Sequence, residues 1–291
     1  MTRPNLFIVG APRSGTTALF ATLGELPQVF APSRIKEPHY YSRRVVPDSD
    51  PRAIRDEAAY RSLFASAQAR HKIVVEASPS YLRDPEAPEL IRSDNPQARV
   101  IALLRDPVKR AHSAYLMRWR LGMTNDDFPT AVRKAIDAND GSDPVGLRMG
   151  LYASDVARYQ ATFGDAFAVY LFEELVEQPE ATLRSILDFL GLDSSGLVPE
   201  LRLENPHGVP RGPPASWLQQ RRRLKQALRD ALPMRVRSWL QGLLLKRVPR
   251  QAPDSEAVQL LRAYYREDME RTRRQLGRES LPWPSAVGLV A

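Results

Sequence analysis

Four apolar residues, Leu6-Phe7-Ile8-Val9, run directly into Gly10-Ala11-Pro12-Arg13-Ser14-Gly15-Thr16-Thr17, and the apolar-periodic stretch Ala18-Leu19-Phe20…Leu23 follows at once. A short buried strand, a glycine-bounded turn and a helix start in that order commit the N-terminal region to an α/β strand–loop–helix unit. Glycine, four residues, glycine and a final threonine reproduce the frame of a Walker phosphate loop, but Thr16 stands where that loop needs lysine. Backbone N–H groups at a helix start still cradle an anion. The ammonium that pairs with β- and γ-phosphates is missing, which disfavours ATP or GTP hydrolysis. Arg13, inside the loop, offers a cation instead.

A second junction of the same kind follows. Arg99-Val100-Ile101-Ala102-Leu103-Leu104 is an aliphatic, β-branched run that predicts a strand, with Arg105 at its C-terminal end. Asp106 has the chemistry of an N-cap, Pro107 suits the first helical position, and Ser113 falls two turns into a helix expected over 107–121. A guanidinium makes bidentate, charge-assisted contacts with an anion, and a serine hydroxyl adds a neutral donor.

Taken together, the two junctions resemble the sulfotransferases that use 3′-phosphoadenosine 5′-phosphosulfate (PAPS). Residues 10–17 are similar to that family's 5′-phosphosulfate loop, and Arg105 with Ser113 to its 3′-phosphate site. The likeness continues through Leu151-Tyr152…Tyr159…Phe163-Gly164, a strand expected at 168–172, Glu173-Glu174-Leu175, and 179–192, so it covers about residues 5–195. It implies a P-loop-type three-layer α/β domain: a central, mainly parallel sheet, helices on both faces, and ligands at the carboxyl ends of the strands. By the same resemblance PAPS is the donor, held by Arg13, Ser14, Gly15, Thr16, Thr17, Arg105 and Ser113; since the transferred sulfonate carries a single charge, no metal is expected. Arg211 lies in the turn-rich stretch 204–214, which predicts no regular structure. Its position is similar to the loop that closes over adenosine and 3′-phosphate in the family.

For the catalytic base the segment of interest is Lys36-Glu37-Pro38-His39-Tyr40-Tyr41. In related carbohydrate sulfotransferases an acidic residue, x, His and two aromatics occupy this place, which implies Glu37 as base. A carboxylate takes an alcohol proton if it sits within hydrogen-bond reach. His39 is the alternative base, since imidazole titrates near neutrality; otherwise it is a structural imidazole among Tyr40 and Tyr41. Arg13 or Lys36 would neutralise the leaving group. Ile73-Val74-Val75-Glu76 predicts another strand, ending in Ala77-Ser78-Pro79-Ser80-Tyr81. Glycosaminoglycan sulfotransferases resemble this strand end but carry lysine where Ala77 stands. Glu76 either orients the acceptor, holds a base in place, or is a strand-end carboxylate satisfied by backbone N–H groups.

A chain of 291 residues suits one domain, 1–291, with a nucleotide-binding core at 1–200 and a loop plus basic helical extension at 201–291. The net charge of +8 is uneven: residues 211–250 hold eleven Lys/Arg against the single acid Asp230. Leu and Trp interleave there at helical spacing, so the segment reads as two amphipathic helices broken near Pro233. A basic face packed on the core, a positive rim to an acceptor channel, and a helix pair on anionic lipid all fit. No recognition motif accompanies the charge, which argues against nucleic acid. The sequence has no cysteine, no apolar run of 18 residues and no basic-plus-apolar leader, which predicts a cytoplasmic, bacterial protein.

The function expected is in-line transfer of a sulfuryl group from PAPS to a hydroxyl of a sugar, glycolipid or secondary metabolite. Two alternatives are a P-loop small-molecule kinase, which would need lysine at position 16, and a non-enzymatic, membrane-docked nucleotide-binding protein. The last element, expected over 254–277, is a charged amphipathic helix with a core-packing stripe.

Overall fold

Leu6–Gly10 (β1) is buried along its whole length in a computed structural model that describes residues 3–138, 143, 145–196, 199–201, 208–210, 245–247 and 254–286. It lies at the centre of a five-stranded sheet with Val29–Phe30 (β2), Ile73–Glu76 (β3), Arg99–Leu104 (β4) and Phe167–Leu171 (β5), in the order β2-β3-β1-β4-β5. All four pairings are parallel, with Leu6 opposite Val75 on one side and Phe7 opposite Val100 on the other. Near-continuous burial of β1, β3 and β4 is what a parallel sheet covered on both faces requires.

Strand alternation sorts the side chains between those faces. Leu6, Ile8, Val75, Ile101 and Leu103 share one core with Leu19 and Leu23 of Thr16–Leu23 (α1) and Leu175 of Phe172–Glu177 (α7). Leu183, Ile186 and Leu190 of Pro179–Leu190 (α8) join the same core. Phe7 turns the other way and meets Tyr41 edge-on at 5.8 Å. On that side Ala87–Asp94 (α3) packs with Ala153–Phe163 (α6), whose Tyr159 hydroxyl donates to the Tyr81 carbonyl at 2.9 Å. Chain direction across the sheet reverses between β1 and β4. Their carboxyl ends therefore flank the switch point where open α/β sheets bind ligands.

The expected helix after β4 is Pro107–Arg120, and Asp106 caps it by accepting from the N–H groups of Val108 (2.9 Å) and Lys109 (3.1 Å). Two shorter helices, Glu57–Ser62 and Phe128–Asp137, and a final one, Ser255–Gln275, complete the described α-helices. The strand expected at 168–172 lies one residue earlier, because Phe172 opens α7.

A larger departure is the antiparallel pair Gly208–Pro210 (β6) and Leu245–Arg247 (β7), with Val209 opposite Lys246. Turn-rich chain was expected at the first and helix at the second. Short apolar runs do not separate helix from strand by periodicity, and Pro210, which lacks an N–H, is tolerated in an edge strand.

The backbone divides into two compact units, Met1–Arg110 with Arg148–Glu204 and Arg262–Ala291, and Ala111–Leu147 with Asn205–Leu261. The chain passes between the units after Arg110, Leu147, Glu204 and Leu261, the first and last of these within helices. In the second unit Phe128 packs against His112 (4.8 Å) and Tyr115 (5.0 Å), and Arg133 pairs with Glu256.

Candidate active site

The loop between β1 and α1 takes its shape from two left-handed residues, Arg13 at φ 70° and Gly15 at φ 86°. Gly15 is required twice over. A side chain at that φ is strained, and a Cβ there would meet the Phe172 ring at 2.7 Å. Leu19 donates the first helical bond back to the Gly15 carbonyl at 3.1 Å, so Gly15, Thr16 and Thr17 present their N–H groups at the head of α1. Ser14 is fully buried, and its Oγ has no hydrogen-bond partner among the described residues. A loop with an orphaned buried hydroxyl and a glycine floor fits a phosphate group.

Arg105 stands at the end of β4, as expected. Its Nη1 donates to the Arg13 carbonyl at 2.9 Å, and its guanidinium lies 4.6 Å from the centroid of the Phe172 ring. Phe172 thus touches both the loop glycine and the arginine, a cation–π contact that fixes where the guanidinium points. Nothing in the sequence around Phe172 signals this role. Ser113 lies on the helix after Arg105, in the second unit. Arg211 lies outside the described residues.

Lys36 joins the loop to the expected base. Its Nζ reaches the Thr16 hydroxyl at 3.5 Å and Glu37 Oε1 at 2.8 Å. Lys36 is mostly covered (18% side-chain exposure), whereas Glu37 is 39% exposed and open to an acceptor. Its Oε2 lies 3.8 Å from His39 Nε2.

His39 is buried at φ 52° and is held by two serines. Its N–H donates to Ser78 Oγ at 3.1 Å, and its Nδ1 pairs with Ser80 Oγ at 2.8 Å. Among the described residues its Nε2 has no hydrogen bond of normal geometry, and it faces Glu37. Tyr40 stacks on Tyr60 at 4.1 Å. Burial pulls the imidazole below its ordinary value; the Glu37 carboxylate opposes this and Arg52 reinforces it. Arg52 is chelated by Asp50, with Nε to Oδ1 at 2.9 Å and Nη2 to Oδ2 at 2.5 Å.

Glu76, at the carboxyl end of β3, is fully buried. Tyrosine hydroxyls hold it, where backbone N–H groups were one of the alternatives: Oε2 accepts from Tyr81 at 2.9 Å and Tyr60 at 3.2 Å. The Ser78 hydroxyl also bears on the carboxylate, although among the described residues no bond of normal geometry reaches Oε1. Burial raises the carboxyl from 4.5 to about 7 against these hydroxyls and Lys36. Ala77, where lysine was noted as missing, is buried in the sheet core.

These positions can be set beside known proteins. A family model described as the sulfotransferase domain matches residues 3–209. Heparan sulfate glucosamine 3-O-sulfotransferase 6 of Homo sapiens is 31% identical over 195 residues, covering 65% of this chain and 52% of that protein. Carbohydrate sulfotransferase 15 of Mus musculus is 27% identical over 248 residues, covering 65% and 44%. The chain spans about half the length of the curated relatives it matches. Among solved structures, the sulfotransferase from Alicyclobacillus acidocaldarius aligns with a TM-score of 0.73 at 25% identity, over 96% of this chain and 98% of that one. With every strand of the parallel sheet inside the matched span, the chain belongs to the sulfotransferase domain family.

Proposed function

We propose that this protein transfers a sulfuryl group from PAPS to the hydroxyl of a carbohydrate or other small-molecule acceptor. The observation that carries the proposal is Lys36, whose Nζ spans the Thr16 hydroxyl of the phosphate loop and the Glu37 carboxylate. One ammonium thereby ties the place where a leaving phosphate would sit to the group that would take the acceptor's proton.

The donor supplies an activated S–O bond to its 5′-phosphate, which breaks as the acceptor oxygen bonds to sulfur. Glu37 takes the hydroxyl proton, and its exposure leaves room for an acceptor. The N–H groups of Gly15, Thr16 and Thr17, with the Ser14 and Thr16 hydroxyls, hold the 5′-phosphate. Lys36, with Arg13 from the loop, neutralises the charge gathering on that phosphate. Arg105, braced by Phe172, takes the 3′-phosphate, and Ser113 and Arg211 keep the parts that family resemblance assigns them. His39 acts on Glu37 rather than on the acceptor, being more deeply buried than the carboxylate it faces.

A carbohydrate acceptor is supported by the names of the relatives, a heparan sulfate and a carbohydrate sulfotransferase. Ala77 in place of lysine argues for an acceptor other than a glycosaminoglycan. The lack of cysteine supports a reducing, cytoplasmic setting within the same proposal. The basic segment 211–250 extends it to peripheral contact with anionic membrane. Vesicle flotation at low and high salt tests that contact.

The deciding experiment is calorimetric titration with adenosine 3′,5′-bisphosphate beside adenosine 5′-phosphate and ATP, with and without Mg²⁺. Tight, metal-independent preference for the bisphosphate is expected. Preference for ATP with Mg²⁺ would replace sulfuryl transfer with a kinase.

A further inference from the structure

The chain after the last helix, Ser255–Gln275, turns back at Gly277 (φ 63°) and crosses the starts of two other helices. Arg278 makes a two-pronged pair with Glu174 of α7, its Nη2 reaching Oε2 at 3.0 Å. Trp283, 1% exposed, donates from Nε1 to Glu173 Oε2 at 3.1 Å. Ser285 donates its N–H to Asp106 Oδ2 at 3.0 Å. Arg262 holds the Pro284 carbonyl at 2.9 Å. These contacts lie beyond residue 209, where the family match ends.

What this segment grips is the frame of Arg105. Glu173 uses its other oxygen, Oε1, to accept the Asp106 N–H at 3.2 Å. The Arg105 carbonyl accepts from the Tyr152 hydroxyl at 2.9 Å, and the Tyr152 ring packs 5.8 Å from Trp283. Glu173 is also the residue next to Phe172, whose ring contacts the Arg105 guanidinium and would collide with any side chain at Gly15. The peptide group after Arg105, the residue next to the ring against its guanidinium and the cap of the following helix are all held by the same six-residue stretch, directly or through Glu173 and Tyr152.

We infer that residues 281–286 form a strap that positions Arg105 and Phe172 for the donor's 3′-phosphate, with Trp283 and Glu173 as the positioning residues. The inference rests on the proposed donor site. A charge-assisted contact depends on direction as well as distance, so a guanidinium whose backbone and stacking ring shift together loses the 3′-phosphate while the loop keeps the 5′-phosphate. The strap therefore controls selectivity between two nucleotides, which general stability does not.

Trp283→Phe keeps an aromatic ring and removes the Nε1–H; Glu173→Gln keeps the size of the side chain and disturbs one of its two acceptor contacts. Each variant of the full chain is titrated with adenosine 3′,5′-bisphosphate and adenosine 5′-phosphate, beside Arg105→Ala, and melted by circular dichroism. Both strap variants should lower the bisphosphate preference about tenfold, the loss of one well-aligned charge-assisted bond, while adenosine 5′-phosphate binding holds. Equal weakening of both nucleotides would make the strap merely structural and overturn the inference. An unchanged preference in both strap variants, with Arg105→Ala losing it, would overturn the inference and leave the donor site standing. An unchanged preference in Arg105→Ala would overturn the assignment of Arg105, and the inference with it.

Discussion

The Nδ1 of His39 lies 2.8 Å from the Ser80 hydroxyl, while Nε2 on the other side of the ring faces Glu37 Oε2 at 3.8 Å. A hydroxyl that donates to Nδ1 puts the ring proton on Nε2, aimed at the carboxylate. Ser80→Ala removes that preference. Turnover is expected to fall about tenfold with donor affinity unchanged, and nitrogen NMR of the His39 ring should change from one tautomer to a mixture. A single unchanged tautomer in the variant would show that Ser80 does not set it.

Glu37→Gln keeps the shape of the base and removes its charge. Turnover should fall by about 10²–10⁴ while adenosine 3′,5′-bisphosphate binding is retained, read by activity beside calorimetry. Activity that survives in Glu37→Gln but disappears in His39→Ala would move the base to the imidazole.

Gly15→Ala carries two penalties, the φ of 86° and the Phe172 ring 2.7 Å from the new Cβ. A destabilisation of about 1–3 kcal/mol in urea is expected. Adding Phe172→Leu should recover only the part due to collision. Full recovery would mean the backbone angle carries no cost.

Glu76 makes stability depend on pH. Its carboxyl titrates at about 7 in the folded chain against 4.5 when exposed, so between those values the folded state holds the proton more tightly. Stability from this group is present below 4.5 and is lost as pH rises through about 7. Glu76→Gln lacks that loss. Urea midpoints at pH 5 and pH 8 should shift in favour of the glutamine variant by up to about 3 kcal/mol at the higher pH. A difference between the two proteins that stays constant with pH would refute the titration.

What the sequence disclosed was local. β1, β3 and β4 were legible because each is a short apolar run closed by a turn, and Asp106-Pro107 because a cap and a fixed φ act on the next turn alone. Lys36 and Glu37 were legible through resemblance, and their contact is between neighbours. Phe172, Ser80 and Trp283 were not, since each acts on a residue far away in the chain and none belongs to a pattern. Tyrosine hydroxyls around Glu76 escaped for the same reason: Tyr60 and Tyr81 come from separate segments. Gly208–Pro210 and Leu245–Arg247 pair through backbone groups, which leave little trace in side-chain pattern.

The return of residues 278–286 to the starts of the helices Pro107–Arg120 and Phe172–Glu177 also bears on how the protein is made. Gly15 is synthesised early, Phe172 and Arg105 midway, and Trp283 near the end of the described chain. A nascent chain still short of Trp283 can pair its five parallel strands, yet it leaves Glu173 without the indole donor that holds it. Such long sequence separations close slowly. Donor binding should therefore switch on late in synthesis, and ribosome-bound chains of increasing length should gain bisphosphate affinity in one step as that tryptophan clears the exit tunnel.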